Sequence, residues 1–188
     1  MRNILLTIAT LFFSIQCWAD NPIVRIETSR GNIDIELNAA QAPKTVENFL
    51  TYVNEGYYDN TIFHRVIKQF MIQGGGFTPE YKQKETHAAI QNEADNGLKN
   101  NRGTIAMART NMPHSATAQF FINTKDNDFL NFTAKTMRGW GYTVFGKVIK
   151  GMDTVDKIER LKTSAAGPFS RDVPILQAII KNIHIIKK

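Results

Sequence analysis

The sequence predicts one mainly β domain, a closed barrel or a sandwich carrying only two helices. Short runs of alternating, β-branched apolar residues recur along most of the chain, each ended by a turn signal. Only two stretches keep the apolar period of a helix. No repeat, low-complexity tract or interdomain linker divides the chain. Strands that outnumber helices in this way close into a barrel or stack as two sheets.

Ile23 to Thr28 and Asn32 to Leu37 are strands joined through Ser29-Arg30-Gly31 as a hairpin. Pro43 opens a helix that places Val46, Phe49, Leu50 and Val53 on one face and closes at Gly56. Thr61 to Ile67 and Phe70 to Gln73 read as strands, broken by Gly74-Gly75-Gly76. Residues 78–103 are polar and glycine-punctuated, a long loop. Thr104 to Arg109, Gln119 to Thr124 and Tyr142 to Val148 follow as strands. Gly151 to Arg160 is a second amphipathic helix burying Met152, Val155 and Ile158, and Ala178 to Ile186 closes the chain as a strand.

The first nineteen residues stand apart. Arg2 gives a positive start, Ile4 to Ile15 is apolar, and Cys17-Trp18-Ala19 ends in a small residue. This is the layout of a secretory signal peptide cleaved after Ala19, too short in its apolar run to span a bilayer. Cleavage leaves residues 20–188 as one domain, a length that supports its own core. The only cysteine of the 188 residues leaves with the leader, so the remainder has no disulfide and no thiolate chemistry. Net charge falls from +6 to +5, and the basic residues are scattered rather than grouped into a stripe. A nucleic-acid partner is therefore not expected. His64, His87, His114 and His184 lack paired ligand spacing, so no metal is expected either. Gly74-Gly75-Gly76 is followed by no Lys-Ser/Thr, and His114-Ser115 lacks a nucleophile elbow.

Two stretches carry the chemistry, TIFHRVIKQFMIQGGGF at 61–77 and SATAQFFINT at 115–124. Strand alternation puts Met71 and Gln73 opposite Ile72, sets Gln119, Phe121 and Asn123 opposite Phe120 and Ile122, and turns Arg65 away from His64 and Val66. Each strand then shows one face mixing a hydrogen-bonding side chain with a large apolar one, the pattern of a groove that grips an apolar group and pairs the backbone beside it. Periodicity alone does not say which face points inward.

These two stretches, about fifty residues apart, resemble the two halves of the active site of cyclophilin-type peptidyl-prolyl cis-trans isomerases. The resemblance runs from Ile23 to Ile186. It implies a closed eight-stranded antiparallel β-barrel capped by two α-helices, and rotation about X-Pro bonds without cofactor or metal. By position, Arg65 matches the family's catalytic arginine. Phe70, Met71, Gln73, Gln119, Phe121 and Leu130 match residues of the proline pocket, and Ala108 and Arg109 match a strand edge that pairs the substrate backbone. Phe129 stands where many eukaryotic members carry tryptophan, which implies weak cyclosporin binding. Tyr142 takes the place of a pocket histidine, and Lys68-Gln69 replaces a common Pro-Gly turn. Residues 131–141 align poorly, Trp140 among them. With the leader, the resemblance points to a monomeric periplasmic enzyme acting on proline-containing and unfolded exported polypeptides, without stable membrane insertion.

Overall fold

The computed structural model describes residues 21–187; the expected leader lies outside them. Strands β1 (Ile23–Thr28) and β2 (Gly31–Leu37) form the first hairpin, followed by helix α1 (Pro43–Asn54). Next come β3 (Thr61–Ile62), β4 (Arg65–Ile67), β5 (Met71–Gly74), β6 (Thr104–Met107), β7 (Phe120–Asn123) and β8 (Val144–Lys150). Helix α2 (Met152–Glu159) precedes β9 (Thr163–Ala166), β10 (Phe169–Pro174) and β11 (Ile179–Lys187).

Nine strands make one antiparallel sheet in the order β3-β11-β1-β2-β8-β6-β7-β5-β4, and β9 and β10 pair separately. Among the described residues the mainly β, two-helix expectation holds; closure and strand count do not. The run 61–67, read as one strand, is interrupted at Phe63-His64. Its first piece pairs with β11 and its second with β5. An unbroken strand here would have joined the two ends of the sheet; the break leaves nine strands and two edges. Phe63 N–H donates instead to Ala178 O (2.9 Å).

Alternation divides the side chains between two clusters. Ile26, Ile33, Ile35, Ile72, Phe120, Ile122 and Phe145 fill the main core with Phe49 of α1 and Val155 and Ile158 of α2. Phe49 meets Tyr58, Phe120 and Phe145 with ring centroids 5.2–5.7 Å apart. Burial of each such ring contributes about 1.5–3 kcal/mol. Met71, Ala106, Phe121, Leu130 and Val144 form a smaller cluster on the opposite face of the same strands.

The long loop is tied down by side chains. Glu93 accepts from the backbone N–H of Lys44 (3.2 Å) and Thr45 (2.9 Å). A carboxylate from a remote loop thus satisfies the first amides of α1, a helix with no acidic residue in its first turn. Asn92 and Asn96 make local turn bonds, accepting from the N–H of Ala94 and Leu98. The β9–β10 hairpin was not anticipated, because Thr163 to Pro174 is polar, mostly exposed and lacks an apolar alternation.

Candidate active site

Strands β4, β5 and β7 lie side by side, and their register assembles the site. Arg65 stands across from Gln73, and Gln73 across from Phe121. Ile72, Phe120 and Ile122 point into the main core, so Met71, Gln73 and Phe121 face outward together. Arg65 Nη1 donates to Gln73 Oε1 (3.5 Å), and Gln73 Nε2 donates to Gln119 Oε1 (3.0 Å). A polar chain therefore runs along one side of an apolar floor.

That floor belongs to a cavity of about 90 Å³, lined by Phe70, Met71, Phe121, Leu130 and Ala108, with Arg65, Gln73, Arg109 and Tyr142 supplying its polar rim. A second cavity of about 220 Å³ shares Gln73, Ala108 and Arg109 and extends past Gln119 and Thr117. Gln119 thus walls the larger space and reaches the smaller one only through Gln73. Tyr142 packs edge-on against Phe121 (5.6 Å, 80°) and carries the Arg109 guanidinium 4.6 Å above its ring. Arg109 also donates to Gly141 O (2.8 Å) and Thr110 O (2.9 Å), which fixes it as part of the wall. Phe129 is 74% exposed; it stacks on Phe70 (5.5 Å, 28°) outside the cavity lining. Trp140 packs on His114 and Phe132, away from the cavity.

Two supports were not read from the sequence. The first is a buried asparagine network under the floor. Asn127 Nδ2 donates to Phe70 O (2.9 Å) and Asn123 Oδ1 (2.8 Å), and Asn123 Nδ2 donates to Asn100 Oδ1 (3.2 Å) and Thr104 Oγ1 (2.9 Å). Asn100 Nδ2 reaches Leu130 O (3.1 Å) and Tyr142 O (3.3 Å). The backbones that carry Phe70, Leu130 and Tyr142 are thereby joined. The only sequence signal was an asparagine inside an apolar strand, FFIN. The second support is the glycine run. Gly75 adopts φ +80° against Phe120 and Tyr58, and a Cβ on Gly76 would lie 2.4 Å from Gln119 Cγ. The glycines let the chain leave β5 pressed against the site.

His64, beside Arg65, is 3% exposed and lies between the rings of Phe77 (4.7 Å) and Phe169 (5.2 Å). Burial pushes its pKa from 6.5 down to about 4, against a backbone hydrogen bond at Ile62 that raises it. It is a neutral packing group at neutral pH.

An antiparallel sheet of this topology, with an arginine at the rim of a small apolar cavity, defines a class, and comparison with known proteins names it. The family description "cyclophilin type peptidyl-prolyl cis-trans isomerase/CLD" matches residues 23–180. The chain is 62% identical to a peptidyl-prolyl cis-trans isomerase of Streptomyces antibioticus, over 87% of this chain and 98% of that one. It is 57% identical to peptidyl-prolyl cis-trans isomerase B of Escherichia coli, over 87% and 99%. A crystal structure of a Cryptosporidium parvum cyclophilin, solved in the presence of the dipeptide Ala-Pro, superposes with TM-score 0.72 at 35% identity, over 88% of this chain and 99% of that one. The chain belongs to the cyclophilin-type peptidyl-prolyl cis-trans isomerases.

Proposed function

We propose that this chain rotates X-Pro peptide bonds in exported polypeptides, with Arg65 as the catalytic residue. The observation that carries the reading is one guanidinium, held by Gln73, at the rim of a cavity floored by Phe70, Met71, Phe121 and Leu130. An apolar pocket next to a fixed cation suits a proline ring whose own nitrogen must be contacted.

The X-Pro bond resists rotation by roughly 18–20 kcal/mol because of its partial double-bond character. An acceleration of about 10⁵-fold requires roughly 7 kcal/mol, at about 1.4 kcal/mol per decade. When the bond twists, resonance is lost and the prolyl nitrogen becomes pyramidal, with a lone pair that accepts a hydrogen bond. A planar ground state offers no such acceptor. Arg65 therefore stabilises the twisted state selectively, which lowers the barrier rather than tightening ground-state binding. Phe70, Met71, Phe121 and Leu130 hold the ring. Gln73 and the backbone at Ala108–Arg109 hold the flanking chain; since Ala108 N–H is committed to Gln119 O (2.9 Å), the Ala108 carbonyl and the Arg109 amide are the groups left for it. Every step is a rotation, so none of them needs a nucleophile or redox partner.

The leader pattern at residues 1–19 supports a periplasmic enzyme that assists the folding of exported proteins. The exposed Phe129, where a large indole would reach further, supports weak cyclosporin binding.

A protease-free cis-to-trans assay on a short X-Pro peptide tests the catalytic reading. Arg65→Ala should lower kcat/KM by about 10²–10³-fold, the usual cost of one transition-state donor. Arg65→Lys should not restore it, because an ammonium lacks the planar fork. Normal turnover by both variants would remove Arg65 from the mechanism. Cell fractionation tests the location: mature chain beginning at Asp20 in the periplasmic fraction is expected, and unprocessed chain in the cytoplasm would overturn that part.

A further inference from the structure

We propose that Asp172 is a positioning residue for Arg65, a role that rests on the catalytic reading of that arginine. Asp172 Oδ2 lies 3.9 Å from Arg65 Nε, while Gln73 Oε1 takes Nη1 at 3.5 Å. Gln73 hydrogen-bonds one edge of the guanidinium and the Asp172 carboxylate faces an adjacent one as an ion pair, with Nη2 left for a substrate.

The backbone at Asp172 is built to aim this carboxylate. Pairing between β9 and β10 shifts register between Phe169 and Val173, and within that shift Asp172 adopts φ +67°. Bulges of this kind redirect a side chain next to a site, and aspartate is among the few residues that enter the left-handed region readily. The hairpin itself is anchored to the arginine's own stretch of chain. Phe169 stacks on His64 (5.2 Å, 26°) and meets Phe77 edge-on (4.9 Å, 78°), and Val173 is 1% exposed. The position of Asp172 relative to His64-Arg65 is therefore set by packed aromatic rings.

A carboxylate beside a catalytic cation has two opposed effects: it fixes the geometry, and it offsets part of the charge. At 3.9 Å, beyond direct hydrogen-bond range, and with the Asp172 and Arg65 side chains 24% and 41% exposed, solvent weakens the offset. The attraction that orients Arg65 is screened as well, but it acts from a carboxylate whose place the packed hairpin fixes, so removing the carboxylate lets the guanidinium wander and slows turnover. Arg171 Nε reaches the same oxygen at 3.6 Å from a side chain that is 82% exposed, so its contribution is screened and it serves as a control.

The test measures kcat and KM separately, by NMR exchange on an X-Pro peptide, for wild type, Asp172→Asn, Asp172→Gly and Arg171→Ala. Both Asp172 variants should lose about tenfold in kcat with KM unchanged, a small part of what misplacing a catalytic group can cost. Their Tm should not fall, since asparagine and glycine both accept the left-handed backbone. Arg171→Ala should match wild type. In an Arg65→Ala background Asp172→Asn should cost nothing more, because its effect passes through Arg65. Wild-type kcat in the Asp172 variants, a raised kcat, or an equal loss in the Arg65→Ala background would overturn the positioning role alone. Absence of turnover in wild type would overturn the catalytic reading along with it.

Discussion

Replacing His64 with phenylalanine should remove most of the acid sensitivity of this fold between pH 6.5 and 4. The imidazole is buried between Phe77 and Phe169, and its Nδ1 has no hydrogen-bond partner among the described residues. Desolvation, aided by the charge of Arg65, lowers its pKa from 6.5 to about 4. A histidine whose folded pKa is depressed takes up its proton first in the unfolded chain. Its cost is therefore absent above pH 6.5, grows as pH falls, and is complete below about pH 4. At about 1.4 kcal/mol per tenfold change in proton affinity, the whole window is worth about 3 kcal/mol, a large share of a typical domain's roughly 5–15 kcal/mol.

The assay is urea unfolding at a series of pH values, followed through the fluorescence of Trp140, buried against His114 and Phe132. Wild type should lose about 3 kcal/mol more than His64→Phe between pH 7 and 4. Phenylalanine fits the same aromatic slot; it gives up the backbone bond at Ile62 and removes the unpaired Nδ1, two effects that offset, so the two proteins should be of similar stability at pH 7. Asp34, held low by the Arg25 guanidinium, contributes only as pH falls further and is present in both proteins. Equal pH slopes in the two proteins would refute the reasoning.

Asn100→Ala removes the donor to Leu130 O and Tyr142 O and the acceptor for Asn123 Nδ2, the first and last of them buried and the second partly so. At about 1 kcal/mol per lost bond, more where a partner is stranded, chemical denaturation should show a loss of about 3 kcal/mol, with turnover falling as Leu130 shifts. A loss below about 1 kcal/mol would mean that water replaces the network. Gly76→Ala places a Cβ 2.4 Å from Gln119 Cγ. Gln119 must swing away from Gln73, and kcat/KM should drop by about tenfold while the unfolding midpoint moves little; unchanged turnover would show that the Gln73–Gln119 bond has no role in holding the site.

The sequence was most legible where period and burial coincide. The hairpin of β1 and β2, both helices and the strands of the central sheet follow directly from apolar spacing, because a face that must leave water writes its period into the chain. The opposed faces of 71–73 and 119–123 were legible for the same reason. They gave no inward direction, since either face carried apolar side chains; the structure uses both, one for the main core and one for the cavity. The hairpin of β9 and β10 was hidden because its strands are largely exposed and Phe169 is its lone aromatic anchor. Asp172, Asn100 and Asn127 were hidden because each acts across the fold, on a partner no local period connects to it. Phe129, matched by position to a substrate-contacting residue, lies exposed against Phe70 at the edge of the cavity.

The break at Phe63-His64 links the fold to the proposed chemistry. A continuous strand over residues 61–67 would close the sheet, with both flanks of every strand paired. Instead β4 ends the sheet, so Arg65 sits on an edge strand with β5 on one side only. An arginine there is held by Gln73 across the pair and faces the cavity on the same side of the sheet, while the hairpin of β9 and β10 packs along the flank that β5 leaves free. The same break turns His64 inward, where it costs an unpaired nitrogen and a depressed pKa, and there it makes the stacking surface on which Phe169 and the hairpin of Asp172 rest. The acid-sensitive histidine and the support of the arginine are thus two consequences of one interruption. His64→Phe, which keeps the stack and removes the proton, should therefore remove most of the acid sensitivity between pH 6.5 and 4 while leaving kcat near its wild-type value at pH 7.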